Sequence, residues 1–131
     1  MTINIAAARQ NLQARTERER VTRETRRAAA KQAVAEAIKR VVADFPELKR
    51  VYLFGSVVRP NAFRSDSDVD VAVEGVNTAD YFAVWRAIEA ETPGWTIDLR
   101  DITRPSEFSD RVRLTGVLVY ERSDQSSESR D

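Results

Sequence analysis

Polar and apolar residues divide this chain unevenly. Residues 4–45 contain neither proline nor glycine and are rich in Ala, Arg, Glu and Gln, all strong helix formers. Between Gln13 and Arg27 Val21 is the single large apolar side chain, so this half has little to bury. From Ala28 onward Val34, Ile38, Val41, Val42 and Phe45 recur at helical spacing and make a core-facing stripe. The pattern predicts one long helix stopped at Pro46, its second half packed on a domain and its first half projecting or docked on a partner. After Pro46 the period shortens. Lys49 to Phe54 reads as a first strand, and Ser56 to Arg59 as the opening of a helix broken early by Pro60. Asn61 to Ser67 reads as a polar loop, and Asp68 to Val73, alternating carboxylate with valine or alanine, as a second strand. Gly75 marks a turn and Thr78 an N-cap. Tyr81, Phe82, Val84, Trp85 and Ile88 then follow at helical spacing as core, up to Pro93-Gly94. Trp95 to Ile102 is a third strand, Pro105 to Leu114 a short helix and Gly116 to Glu121 a fourth strand. No internal repeat is present.

The pattern amounts to an α/β (α+β) chain of helices and four short strands. It divides into a basic helical extension at 1–30, one domain at 31–121 and a Ser-, Asp- and Glu-rich tail at 122–131 expected to be disordered. At 131 residues the chain suffices for one modest core. Net charge is zero but unevenly spread. Residues 1–50 carry 12 basic and 6 acidic side chains, while residues 51–131 carry 9 and 15. The basic helix interleaves Glu17, Glu19 and Glu24 with its arginines, which argues against a polyanion site, so nucleic acid is not an expected partner. No apolar run reaches membrane-spanning length and no signal-peptide core is visible, so a cytoplasmic location is expected.

The chain has no cysteine and no histidine. Disulfides, thiolate nucleophiles and the commonest general base are therefore excluded. Chemistry falls to carboxylates, hydroxyls, cationic side chains, backbone groups or a bound ion. Asp68-Val69-Asp70 is the leading candidate. On a strand its two carboxylates share one face, roughly 6–7 Å apart at Cα. At an effective dielectric near 20 their repulsion is on the order of 2–3 kcal/mol. A hard divalent cation with oxygen ligands, Mg²⁺ above all, relieves that cost. An EF-hand begun at Asp66 fails, with Val71 where glycine is needed and Asn77 where glutamate is needed, and Asp66 reads as a solvated loop residue. Upstream, Gly55-Ser56 at a strand-to-helix junction offers a phosphate seat: glycine permits close approach, the helix start presents free N–H groups, and Ser56 adds a donor. Arg59 lies one turn on. Downstream, Asp98 sits between Ile97 and Leu99 and points to the opposite face from them. It is preferred over Asp101, which faces the other way near the strand end. If the third strand lies beside the second, Asp98 joins Asp68 and Asp70 around one or two ions. That set suits phosphoryl or nucleotidyl transfer, with Asp98 as the base.

Gly55-Ser56, Arg59, the run Ser67 to Val73, Asp98-Leu99 and the closing stretch Arg113 to Tyr120 together resemble the minimal nucleotidyltransferase family. The resemblance spans roughly residues 34–121. It implies the polymerase-beta-like nucleotidyltransferase fold, a small mixed sheet flanked by helices, and the antitoxin half of a toxin–antitoxin pair. It further implies transfer of AMP from Mg-ATP to a tyrosine hydroxyl of an HEPN-type ribonuclease toxin, within a hetero-oligomer. On this resemblance Gly55, Ser56 and Arg59 bind the triphosphate, Asp68 and Asp70 ligate metal, and Asp98 is the third carboxylate and base. Two features depart from the family pattern. The loop between Ser56 and Asp68 is one residue longer, and Pro60 stands where glycine commonly follows the arginine. The rival expectation is an antitoxin that neutralises by occlusion through its N-terminal helix, without catalysis.

Overall fold

The alternating second strand separates two layers. In the computed structural model, which describes residues 4–123, helix α1 (Ile5–Val41) runs into a short 3-10 turn and then strand β1 (Arg50–Phe54). Strand β2 (Val69–Glu74), helix α2 (Thr78–Glu91), strand β3 (Ile97–Asp101), helix α3 (Glu107–Thr115) and strand β4 (Val117–Glu121) follow. The sheet order is β3-β2-β1-β4, with β2 and β3 parallel and the other neighbours antiparallel. A parallel pair needs a crossover, and α2 supplies it. Val69, Val71 and Val73 of β2 are fully buried in one core with Val34 and Ile38 of α1 and Val84 and Ile88 of α2. The opposite face holds Tyr52, Ala72, Ile102 and Val112, with Phe54 and Phe108 packed beside them, so α3 covers this second side.

Local chemistry sets the ends of the helices. Asn4 caps α1 by accepting the Ala7 N–H at 2.9 Å, and Lys39 and Arg40 in the last turn complement its carbonyl end. Along α1 the expected stripe is present: Val34, Ala37, Ile38 and Val41 are buried, as is Ala30, whereas residues 8–22 are exposed. The cap of α2 falls one residue earlier than the sequence suggests. Asn77, not Thr78, holds extended backbone and accepts the Asp80 N–H at 2.8 Å, because its side-chain oxygen reaches N3 while Thr78 is already helical. Ser106 and Ser109 cap α3 reciprocally.

Two readings of burial change. Tyr81 and Trp85 pack on the core as expected, and each donates to a strand carbonyl, Leu99 at 2.6 Å and Ile97 at 3.0 Å. Phe82 does not: it is 52% exposed, on the outer side of α2, because the sheet-facing stripe needs only Tyr81, Val84, Trp85 and Ile88. Conversely, the loop expected to be polar buries Phe63 completely, with its ring 6.2 Å from Trp95. Of the expected disordered tail, residues 124–131 lie outside the described residues. Among the described residues no helix is long and apolar enough to cross a membrane.

Phe63 therefore anchors the loop that leads into β2. Phe63→Ala should cost about 3–5 kcal/mol of unfolding free energy, whereas Leu114→Ser at an 85% exposed position should stay within about 0.5 kcal/mol. Urea titration followed by tryptophan fluorescence measures both.

Candidate active site

Three strands place the site. The antiparallel register of β1 and β2 sets Phe54 opposite Asp70, and the parallel register of β2 and β3 sets Asp70 beside Asp98. One row across the sheet thus reads Phe54, Asp70, Asp98. Paired residues on neighbouring strands lie about 5 Å apart at Cα, closer than two positions along one strand. At an effective dielectric near 20, two charges at that spacing repel by about 3 kcal/mol. Asp70 registers this. Its carboxyl is pushed up to about 6, first by burial, then by the charge of Asp98 and next by that of Asp68; Arg100 and Arg59 partly oppose the shift. Asp68 itself precedes β2 by one residue and is exposed, so the second strand begins at Val69 and not at Asp68.

The turn after β1 closes around the same carboxylate. Gly55 has φ +74°, and a Cβ built there would overlap the Asp70 carboxylate, coming within 3.2 Å of its Cγ. Only glycine gives both the left-handed backbone and the space. Gly55 to Val58 forms a single 3-10 turn instead of the expected opening of a longer helix, and Arg59 ends it in extended backbone, since Pro60 restricts its predecessor to that region. One turn carries little dipole, so what this turn offers an anion is its N–H groups, Ser56 and the cation of Arg59. Arg59 is exposed and close enough to Asp70 to act on its charge.

The sequence candidates thus assemble as follows. Asp70 and Asp98 sit side by side, Asp68 lies within electrostatic reach, and Gly55 abuts Asp70. Asp66 is exposed, and Asp101 instead accepts from the Thr103 N–H at 2.9 Å, which leaves it out of the group. Two residues escaped the sequence reading. Arg100, two positions after Asp98 on the same face, places Nε 3.5 Å from Asp98 Oδ1. Its signal was the Asp98-Leu99-Arg100 alternation. Phe54, opposite Asp70 in register and edge-on to Phe108 at 5.5 Å, ends the row; its cue was its place as the last residue of the first apolar strand.

The donor set fits a hard cation, for it consists of carboxylate oxygens whose mutual repulsion a divalent ion would remove. As they stand, no three or more carboxylates among the described residues are gathered in ion-holding geometry, and Asp98 leans to Arg100.

The family model described as "Polymerase beta, Nucleotidyltransferase" matches residues 36–125, about two thirds of the sequence. The chain belongs to that nucleotidyltransferase family. Among solved structures, a chain of a toxin–antitoxin with AMP-PNP is 23% identical, with a TM-score of 0.55 over 72% of this chain and 78% of that one. A chain of the MntA–HepT toxin–antitoxin is 21% identical, with a TM-score of 0.51 over 75% and 78%. A chain of the complex between a tri-AMPylated Shewanella oneidensis HEPN toxin and an MNT antitoxin is 22% identical, with a TM-score of 0.51 over 75% and 77%. At these identities the likeness is one of fold. Comparison with curated proteins gives no match.

Two outcomes follow from the geometry. The raised carboxyl of Asp70 means that its ionised form destabilises the fold. In chelator, stability should therefore be highest below about pH 4 as far as this group is concerned, and should fall as pH rises through about 6. A shift of this size corresponds to about 3 kcal/mol, which water at this half-buried side chain reduces to about 1–2 kcal/mol. Asp70→Asn should gain that amount at pH 7 and lose the slope, as read from urea unfolding at several pH values. Gly55→Ala should be destabilised by about 1–3 kcal/mol through its backbone conformation alone, and should also push the Asp70 carboxylate aside.

Proposed function

We propose that this nucleotidyltransferase carries AMP from ATP to a tyrosine hydroxyl of a partner protein, an HEPN-type toxin, and so acts as an antitoxin. The observation that carries this reading is the pairing of Asp70 with Asp98 beside a Gly-Ser turn. The fold neighbours support the rest: one complex holds AMP-PNP and another a toxin carrying AMP.

In this mechanism the Gly55-Ser56 turn admits the triphosphate close to the backbone, and Ser56 donates a hydrogen bond to it. Arg59 neutralises its outer charge from the end of the same turn. Asp68 and Asp70 are the residues that would hold Mg²⁺, which when bound supplies charge neutralisation for the triphosphate. Asp98 takes the proton of the acceptor hydroxyl on a carboxylate oxygen. The acceptor oxygen bonds to the α-phosphorus as the bond to pyrophosphate breaks, and pyrophosphate leaves. Arg100 lies against Asp98, with Nε 3.5 Å from Oδ1, and must yield as the acceptor enters.

A second reading, neutralisation by occlusion, has its own support. Residues 8–22 of the 37-residue α1 are exposed on every side, and they include Leu12 and Val21 at 55% and 48% exposure. A partner seated on that arm would bury it whether or not AMP moves.

One experiment separates the two. Labelled ATP, Mg²⁺ and the cognate toxin are incubated with the wild type, with Asp98→Asn and with the double variant Asp68→Asn, Asp70→Asn. Transfer of label should fall about 100-fold or more in each variant. Undiminished transfer would refute the assigned carboxylates. Full protection of cells by the double variant would show occlusion to be the main effect.

A further inference from the structure

Helix α1 does more than cover the sheet. Its third quarter reaches down to the turn that carries the phosphate seat. Arg27 Nη1 donates to the carbonyl oxygen of Val57 at 3.1 Å, and Glu24 Oε2 accepts the backbone N–H of Asn61 at 2.8 Å. The two side chains also grip each other, with Arg27 Nη2 2.9 Å from Glu24 Oε1 and Nε 3.1 Å from Oε2. These bonds are not those of a loose surface pair, for the side chains retain 18% and 24% of their exposure. Arg27 and the Asn61 N–H together hold the Glu24 carboxyl below the usual range, which keeps it an anion able to accept both.

The two main-chain contacts lie on either side of Val58-Arg59-Pro60. Val57 is fully buried and roots one end, while Asn61, at φ +63°, is the one non-glycine residue with positive φ among the described residues. Asparagine tolerates that region, and Glu24 gives its N–H a fixed acceptor. Arg59 therefore projects from a bridge pinned to α1 at both ends. Gly55 and Ser56, set against Asp70 by the register of β1 with β2, run directly into this bridge.

From this geometry we infer that Glu24 and Arg27 are positioning residues for nucleotide binding, holding the Gly55–Asn61 turn so that Ser56 and Arg59 meet the triphosphate. The inference rests on the nucleotidyltransferase reading above, and deepens it by giving the basic helix a part in the site.

The test is the affinity of the full-length protein for Mg·AMP-PNP by titration calorimetry, which needs no acceptor. Glu24→Ala and Arg27→Ala should each weaken binding about tenfold, the effect of losing a charge-assisted bond that orders the site. Glu24→Gln, which keeps an oxygen for the Asn61 N–H, should lie between wild type and Glu24→Ala. Glu17→Ala is the control. Glu17 forms the same type of pair with Arg20 two turns away, and both are exposed, so its affinity should match wild type. Wild-type affinity in folded Glu24→Ala and Arg27→Ala would overturn the inference while leaving the proposed activity intact. If Glu24→Ala fails to fold, Arg27→Lys decides, because one ammonium cannot fork to Glu24 and reach Val57 together. Unchanged affinity there would likewise overturn it. Failure of the wild type to bind Mg·AMP-PNP would instead remove the proposed function, and this inference with it.

Discussion

Two carboxylates face each other in register across a parallel strand pair, and much of the molecule is arranged around the cost of keeping them there. Asp70 and Asp98 are neighbours because β2 and β3 are parallel and joined by α2; a one-residue slip would turn one of them into the valine and leucine core. Burial of Asp70 makes the repulsion more severe than it would be in water. Relief comes from outside the strands. Arg100 leans on Asp98, and Arg59 and Arg100 act on Asp70 from a distance. A structural core gains nothing from such a pair, and a site that binds a polyvalent anion with its cation does.

Much of this was legible in the sequence because the physics is local. The strand period put Asp98 on the face away from Ile97 and Leu99, and the glycine after an apolar strand announced a turn. The proline and glycine boundaries divided the elements correctly to within a residue or two. The misses share a cause in tertiary packing. Phe82 matches the helical stripe as well as Tyr81 does, yet the sheet meets only one side of α2 and leaves Phe82 outside. Phe63 stands in a run of polar residues with no period, and its burial against Trp95 depends on where a distant strand begins. Thr78 is a good cap by type, but Asn77 stands where the backbone turns from extended to helical.

The basic helix shows the same limit most clearly. Composition marked residues 13–27 as having little to bury, which holds for apolar surface. It could not show that Glu24 and Arg27 meet main-chain groups 30 or more positions away, or that Arg26 lies over the Trp95 ring at 4.7 Å. Polar side chains bond to loops whose paths no periodicity encodes. The result is a helix with two parts: an outer length exposed to solvent, and an inner length tied by hydrogen bonds to the turn beside Asp70.

Asp70 is held at high electrostatic cost, first by burial and then by the charge of Asp98, and a carboxyl NMR titration tests this most directly. In metal-free buffer the Asp70 carboxyl carbon should titrate near 6, and Asp98→Asn should bring it back toward the ordinary carboxylate value of 3.8. Saturating Mg²⁺ with AMP-PNP should lower it in the wild type. An Asp70 that titrates near 3.8 in the wild type, unmoved by Asp98→Asn, would contradict the account.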